Sequence, residues 1–264
     1  MLIAQISDPH LRPKGELYQG LVDSNAMFAA ALDHLAGLDP APDLVLLTGD
    51  VVDDGSDAEY AVAREMLSAI WAPLLIIPGN HDDRERFRVA FADHIPMPAS
   101  GPIHFVRDHG DLRIVALDVT VPGEHHGSFD EAAECWLEGV LSAGGERPTL
   151  VMMHQPPIRS GMDCIDAYNC RGGDRLATLI ARHPQVERIL CGHVHRLMQA
   201  RFGGTVLVAA PSTTTAIALR LHPAAEPASF VEPPAMLLHQ WIPGQGLVTH
   251  HVPIGRFRGP LPFF

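Results

Sequence analysis

Runs of apolar residues that end abruptly at polar residues are the dominant pattern in this chain. The clearest covers residues 44–50, where large aliphatic side chains are followed by Thr48, Gly49 and Asp50. A short aliphatic run of this kind is typical of a strand that is buried on both faces of an α/β sheet. Asp50 is therefore predicted at the carboxyl end of such a strand, where the ligand sites of open α/β sheets collect.

The same pattern predicts further strands over residues 2–6, 74–77, 150–153 and 188–191. The polar residues at their ends are Asp8 and His10, Asn80 and His81, His154, and His193 and His195. Because residues two apart in an extended chain point the same way, Asp8 and His10 are expected to face one site together. A carboxylate beside an apolar strand end needs a partner. We therefore expect these segments to converge on Asp50.

Helical spacing of apolar residues alternates with these strands. It predicts helices over residues 25–36, 58–70, 84–92, 130–141 and 174–183. Strands predominate later, over residues 104–106, 113–117 and 205–209 and in a closing hairpin over residues 236–252. Residues 158–171 are predicted to be irregular, and residues 222–234, rich in Ala and Pro, to form a surface excursion.

This order of elements favours an α/β (α+β) chain with two sheets packed together and helices outside, rather than a single Rossmann sheet. No G-x-G-x-x-G follows the first strand, so no dinucleotide site is predicted. With no internal repeat or low-complexity linker, residues 1–264 are predicted to form one domain.

Composition narrows the classes of partner. Apolar residues make up 47% and charged residues 19% of the chain, which is a globular composition, and the formal net charge is −12. Such an acidic chain is not expected to bind a nucleic-acid polymer or an anionic membrane. No signal peptide or membrane span is predicted, so a cytoplasmic protein is expected. The cysteines lack C-x-x-C spacing; free thiols are favoured, and whether Cys164 pairs with Cys170 stays open.

Taken together, the polar strand ends read D-x-H, G-D-V-V-D-D-G, G-N-H-D, H and G-H-V-H over residues 8–195. This set, in this order, resembles the calcineurin-like metallophosphoesterase family, and within it the branch of cyclic-nucleotide phosphodiesterases and glycerophosphodiesterases. The loop 12–23, the segment 161–170 and the closing hairpin are similar to the glycerophosphodiesterase members. The resemblance implies a four-layer αββα sandwich of two mixed β-sheets flanked by helices.

The resemblance also implies two transition-metal ions. The first would be bound by Asp8, His10, Asp50 and His195, and the second by Asp50, Asn80, His154 and His193. Carboxylate and imidazole ligands independently favour Fe, Zn, Mn or Co over Ca. Two such ions about 3.5–4 Å apart can clamp the oxygens of an in-line phosphoryl displacement. The expected activity is hydrolysis of small phosphodiesters (cyclic nucleotides, glycerophosphodiesters or both) by a metal-bound hydroxide.

Two residues are predicted to be catalytic. Asp50 would bridge both ions. His81 directly follows a predicted ligand, so its side chain is expected to point elsewhere and to stabilise the transition state or protonate the leaving alkoxide. Substrate contacts are predicted for Asn80 and His81 and for three residues of nearby loops, Tyr18, Ser128 and Thr215.

Other functions stay open at this point. Ser/Thr protein phosphatases of this fold place an arginine where this chain has Asp53-Asp54-Gly55, which favours singly charged diesters here. A phosphomonoesterase would need a more cationic pocket, and a metal-free protein-binding scaffold would have lost ligands that are all present here. The closing hairpin and the end at Phe263 and Phe264 are predicted to expose apolar groups that form a homo-oligomer contact.

Overall fold

The structure is a computed structural model that describes residues 1–95, 97–259 and 261–262. Its helices are α1 (Ser24–Ala36), α2 (Asp57–Leu67), α3 (Arg84–Ala90), α4 (Glu131–Ala143), α5 (Asp163–Asp166) and α6 (Gly173–Ala181). Its strands are β1 (Leu2–Ile6), β2 (Leu44–Thr48), β3 (Leu74–Ile77), β4 (Phe105–His109), β5 (Leu112–Ala116), β6 (Thr149–Met152), β7 (Val186–Cys191), β8 (Met198–Phe202), β9 (Thr205–Ala209), β10 (Ala216–Ile217), β11 (Ser229–Phe230), β12 (Ala235–Ile242) and β13 (Gly246–Pro253).

All of these strands except β10 and β11, which pair with each other, form two mixed sheets. One has five strands in the order β13-β12-β1-β2-β3, and the other has six in the order β4-β5-β6-β7-β9-β8. In the first sheet β1, β2 and β3 are parallel. In the second, β5, β6, β7 and β9 are parallel, and β4 and β8 are antiparallel edge strands. The strands β2 and β3, which consist almost entirely of aliphatic residues, are parallel strands covered on both faces.

Side chains of the six-stranded sheet alternate between two hydrophobic cores. Ile114 and Met152 join residues of β1, β2, β3 and helices α1, α2 and α3 in one core. Val115 and Val151, one position away on the same strands, pack with α4 and α6 in the other. Successive strand residues point to opposite faces, so the order of layers is helices, sheet, sheet, helices. The predicted αββα fold is confirmed.

The parallel strands bring the polar strand ends to one edge of the sandwich. The last paired residues include Ile6 with Leu47 in the first sheet and Met152 with Leu190 in the second. Two buried hydrogen bonds join the sheets just before the polar residues begin. Gln5 Nε2 donates to the carbonyl of Cys191 (3.0 Å), and His154 Nδ1 donates to the carbonyl of Thr48 (2.7 Å).

Several elements differ from the predictions. β8 was not predicted, because this edge strand alternates exposed and half-buried residues and has no apolar run. The segment predicted to be irregular contains the short helix α5, and the predicted surface excursion contains the short strand β11.

The closing hairpin was predicted to expose apolar groups, but in the structure its large apolar side chains are not exposed. Met236, Leu237, Trp241 and Leu247 are all buried in the core that the two sheets share. A subunit contact at the hairpin stays a prediction, and Phe263 and Phe264 lie outside the described residues.

None of the helices in the described part of the chain is both long enough and apolar enough to span a membrane. The four cysteines are free in the structure, Cys164 and Cys170 included.

Candidate metal centre

The backbone at the strand ends has an unusual conformation. Left-handed φ angles occur at Asp8 (53°), His10 (44°), Asp50 (48°), His193 (71°) and His195 (52°). For residues other than glycine this conformation costs roughly 1–3 kcal/mol, and it persists only where the surroundings enforce it. Strain of this kind clusters at functional sites, and here it lies at the predicted ligands.

Glycines before the polar residues leave room for their side chains. A Cβ built on Gly79 would lie 2.2 Å from Oδ1 of Asp50, and a Cβ on Gly49 would lie 2.4 Å from Nδ1 of His154. Both distances are shorter than any tolerated contact, so the packing of these carboxylate and imidazole groups requires glycine at both positions.

Buried histidine and aspartate side chains form two adjoining groups. The first contains Asp8, His10, Asp50 and His195, and the second contains Asp50, His154 and His193. Within each group the ligand atoms lie within 4.8 Å of one another. Asp50 belongs to both groups, so the structure brings together every predicted aspartate and histidine ligand around this one carboxylate.

Hydrogen bonds set the orientation of the imidazole rings. Nδ1 of His154 donates to the carbonyl of Thr48 (2.7 Å), and Nδ1 of His195 donates to the carbonyl of Thr215 (2.9 Å). A neutral imidazole whose Nδ1 carries the proton presents the lone pair of Nε2. Carbonyl partners of this kind orient the histidine ligands of metal sites.

The contact between His10 and His195 also favours the binding of a cation at this centre. Their Nε2 atoms are 3.0 Å apart, and Nδ1 of His10 lies 3.4 Å from Oδ1 of Asp53. The Asp53 carboxylate favours a proton on that Nδ1, so the Nε2 atoms of both rings present lone pairs. Two lone pairs facing each other repel unless a cation lies beside them.

Three further polar atoms in the centre are buried without a hydrogen-bond partner in the described part of the chain. They are Nε2 of His193, Oδ1 of Asn80 and Nε2 of His154, the last of which lies 3.2 Å from Oδ2 of Asp50. An unsatisfied buried polar atom costs about 1–3 kcal/mol, and each of these is an atom type that binds transition metals. The residues present therefore fit two ions that share Asp50.

Burial changes the pKa values of the groups that would bind the ions. Burial raises the pKa of Asp8 to about 6 and lowers that of His195 to about 4. Burial also acts to raise the pKa of Asp50, but the neighbouring His154 and His81 outweigh it and hold that pKa well below its usual range. Asp50 is thus a charged carboxylate in a buried site, which needs a positive partner.

His81 lies outside the two groups that share Asp50, and it forms a third, less buried group with His10 and Asp53. Its backbone N–H donates to Oδ1 of Asp50 (2.9 Å), and its Nδ1 donates to the carbonyl of Asp53 (2.7 Å), which leaves Nε2 free. Burial lowers the pKa of His81, but the carboxylates of Asp50 and Asp53 outweigh it and raise the pKa to about 10.

Asp53 has a larger part in the centre than the sequence indicated. No ligand or substrate contact was predicted for it, whereas its Oδ1 lies 3.3 Å from Nδ1 of His81 and 3.4 Å from Nδ1 of His10. The sequence feature that could have indicated this role is its place in the G-D-V-V-D motif, three residues after Asp50. Arg12 also contacts it, with Nη1 3.1 Å from Oδ2 of Asp53.

A cavity of about 400 Å³ opens above the centre. It is lined by His10, Tyr18, Gln19, Asp50, Asn80, His81, His125, Cys164, Ile165, Tyr168, His193, His195, Thr215, Ile217, Pro227, Ala228 and Ser229. A volume of this size suits a small molecule. Of the residues predicted to contact substrate, Tyr18, Asn80, His81 and Thr215 line it, and the Tyr18 ring stacks on His10 at 4.7 Å. Ser128 lies elsewhere, in a separate cavity with Arg84 and Asp118.

Much of the cavity wall escaped sequence reasoning. His125 comes from the loop of residues 125–128, which was expected to be able to reach the site, and its Nδ1 accepts from Nδ2 of Asn80 (3.4 Å). Cys164, Ile165 and Tyr168 belong to α5 and the residues after it; they lie in the segment 161–170 that resembles the glycerophosphodiesterase members, but none of them was predicted individually.

Comparisons with known proteins agree with this geometry. The family described as calcineurin-like phosphoesterase matches residues 1–197. A probable glycerophosphodiester phosphodiesterase GpdQ of Arcobacter nitrofigilis is 34% identical over 100% of this chain and 97% of its own length. The 3',5'-cyclic adenosine monophosphate phosphodiesterase CpdA of Escherichia coli K12 is 34% identical over 80% of this chain and 75% of its own.

Among solved structures, a dimetal phosphatase from Danio rerio has a TM-score of 0.66 at 15% identity, covering 97% of this chain and 99% of its own. That likeness concerns the fold alone. The family match over most of the chain and the relatives at 34% identity show that the chain belongs to the calcineurin-like phosphoesterase family.

Proposed function

We propose that this protein is a dinuclear metal-dependent phosphodiesterase that hydrolyses small phosphodiesters. The observation that carries the proposal is the position of Asp50, a buried carboxylate shared by two groups of imidazole and carboxylate ligands beneath a cavity of about 400 Å³. Two bound ions would supply Lewis-acid activation of water and positive charge around the phosphoryl group. We propose Fe, Mn, Zn or Co as these ions, because the ligand atoms are imidazole nitrogens and carboxylate or amide oxygens.

The protein's own residues divide the remaining tasks. Asp8, Asp50, Asn80 and the imidazoles of His10, His154, His193 and His195 would hold the ions. The His81 ring is anchored through Nδ1 to the carbonyl of Asp53, so Nε2 is the atom available to give a proton to the leaving alkoxide. The aromatic ring of Tyr18 packs over His10 and excludes water from one side of the centre.

Glycerophosphodiesters are the substrate class that we favour. The relatives named as glycerophosphodiester phosphodiesterases match 98–100% of this chain, which includes the cavity-lining residues beyond the family match. Within the described residues, the cavity lining contains neither lysine nor arginine. Such a site suits a singly charged diester better than a doubly charged monoester, and it disfavours the phosphomonoesterase alternative. We also propose a cytoplasmic location, because four free thiols fit a reducing compartment.

The test is steady-state turnover by the purified protein loaded with Mn²⁺. Glycerophosphoethanolamine, cyclic AMP and an aryl phosphomonoester are compared by kcat/KM, and the metal content is measured by mass spectrometry. We expect the diesters to lead the monoester by at least about 10²-fold, which corresponds to roughly 2.7 kcal/mol of transition-state binding. A protein that carries two ions and hydrolyses no diester would contradict the proposal.

Asp50→Asn and Asp54→Asn form a matched pair for the same assay. Both residues belong to one motif, but the Asp54 side chain is exposed and pairs with Arg12, outside both ligand groups. Asp50→Asn is expected to abolish metal binding and turnover, whereas Asp54→Asn is expected to retain both.

A further inference from the structure

One part of the cavity wall forms a separate structural unit. Strands β10 and β11 pair only with each other, Ala216 with Phe230 and Ile217 with Ser229, in a sheet apart from the two large ones. We call residues 216–230 the strap. Ile217, Pro227, Ala228 and Ser229 of the strap line the cavity above the metal centre. The strap is therefore placed to contact whatever substituent the phosphoryl group carries.

The base of the strap is tied to the centre by two consecutive residues. His195, in the first ligand group, donates from Nδ1 to the carbonyl of Thr215 (2.9 Å). Arg196 donates from Nη1 to the carbonyl of Ile217 (2.7 Å) and pairs through Nη2 with Glu232 (3.2 Å), just beyond the strap. One arginine thus holds both ends of the strap at a set distance from the reacting centre.

The strap also approaches the other wall of the cavity. A Cβ built on Gly161 would lie 3.5 Å from Cδ2 of Leu221, so the strap meets the loop that precedes α5. Cys164, Ile165 and Tyr168, which follow that loop, line the same cavity. Two walls of the cavity therefore approach each other near Gly161 and Leu221.

The chemistry of the strap defines what it can recognise. It offers the cavity aliphatic surface from Ile217, Pro227 and Ala228 and a single hydroxyl, that of Ser229. We infer that the strap, positioned by Arg196, is the wall that selects the alcohol portion of the diester, and that it selects an uncharged, hydroxyl-bearing group such as glycerol. This inference rests on the proposed phosphodiesterase function. Arg196 acts here as a positioning residue, because it does not line the cavity.

The test compares Arg196→Gln with Arg220→Gln, an arginine on the same strap. Among the described residues, the Arg220 guanidinium donates to the carbonyl of Glu226 alone, within the strap itself (3.0 Å). The substrates are glycerophosphoethanolamine and methyl p-nitrophenyl phosphate, which lacks a hydroxyl-bearing group. For Arg196→Gln we expect the ratio of their kcat/KM values to fall at least tenfold, through a higher KM for glycerophosphoethanolamine, with unchanged metal content. Arg220→Gln is expected to keep the wild-type ratio.

Two milder variants keep the inference testable if Arg196→Gln does not fold. Glu232→Gln removes the ion pair at a half-exposed position, and Ser229→Ala removes the strap hydroxyl. Each is expected to lower the same ratio by at least threefold. An unchanged ratio in the folded variants overturns the role of the strap. Wild-type protein that carries metal but hydrolyses neither diester overturns the proposed function instead, so the two failures are distinct.

Discussion

At the scale of single residues, the centre depends on a missing side chain as much as on the side chains present. Gly79 does not have a left-handed φ, so backbone strain does not explain why glycine is needed there. The reason is contact: an added Cβ would lie 2.2 Å from Oδ1 and 2.3 Å from the backbone nitrogen of Asp50. Asp50 is the carboxylate shared by both ligand groups, so one methyl group displaces the residue on which the site is built.

Gly79→Ala is accordingly expected to lower kcat/KM by about 10²-fold or more, because a displacement near 1 Å has effects of that size. Metal content should fall as well. The control is Gly139→Ala in α4, where a Cβ would meet nothing within 4 Å and alanine should add about 0.5–1 kcal/mol of stability. Turnover, metal content and thermal unfolding of both variants check this, and wild-type turnover in Gly79→Ala would refute it.

His81→Ala separates proton transfer from metal binding. Its ring contacts Asp53 and lies outside both ligand groups that share Asp50. The variant is expected to keep its ions and to lose about 10²–10⁴-fold in kcat on alkyl diesters. The loss should be smaller on nitrophenyl diesters, whose leaving group needs no proton. His126→Ala, outside the cavity, is the control; a loss of metal in His81→Ala would show that our role for His81 is wrong.

At the scale of elements, the central strand β1 is held on one side by a buried histidine. His239 of β12 is fully buried, with Nε2 3.0 Å from Oε1 of Gln5 and Nδ1 2.9 Å from Oγ1 of Thr249. Burial lowers its pKa from 6.5 to about 3. The folded protein therefore keeps this imidazole neutral at a pH where the unfolded chain has already protonated it.

The pH dependence of stability follows from that difference. As the pH falls from 6.5 towards 3 the unfolded state binds the extra proton, so His239 lowers the free energy of unfolding by up to about 1.4 kcal/mol per pH unit. His239→Gln removes this titrating side chain. The free energy of unfolding of the variant, measured by urea unfolding at each pH, should therefore decline less steeply between pH 6.5 and 4. Other titrating groups are shared by both proteins and cancel in the comparison. Equal slopes would contradict the assignment.

At the scale of the whole molecule, the candidate metal centre joins the two sheets. Asp8 and Asp50 follow strands of the five-stranded sheet, and His154 and His193 follow strands of the six-stranded sheet. The backbone N–H of His193 already donates to Oδ1 of Asp8 across this junction (3.0 Å). Ions bound here would link both halves of the sandwich and bind the folded state alone.

Removal of the ions is therefore expected to destabilise the protein and not only to inactivate it. At free metal about 1,000-fold above Kd, binding contributes roughly 4 kcal/mol to stability. Addition of a chelator should lower Tm, and Mn²⁺ should restore it. Asp50→Asn should melt at the same temperature with or without Mn²⁺. Equal Tm values for chelated and Mn²⁺-loaded wild type would rule out such a link.

The sequence by itself determined the parallel strands and the polar residues at their ends. A strand covered on both faces needs an unbroken apolar run, as in β2, and the end of the run marks the sheet edge where Asp50 lies. These are local requirements of burial, so they can be read from neighbouring residues. The prediction of the αββα fold rested partly on this pattern and partly on the family resemblance.

Only the tertiary structure decided the walls of the cavity. The contacts of Asn80 with His125 and of Arg196 with Ile217 join segments 45 and 21 residues apart, and no local pattern encodes them. The same holds for Ser128, which was expected near substrate and lies in another cavity, and for the hairpin, where Met236, Leu237, Trp241 and Leu247 are buried. Strand burial is a property of adjacent residues, whereas a cavity is made by loops whose positions depend on the packing of the whole chain.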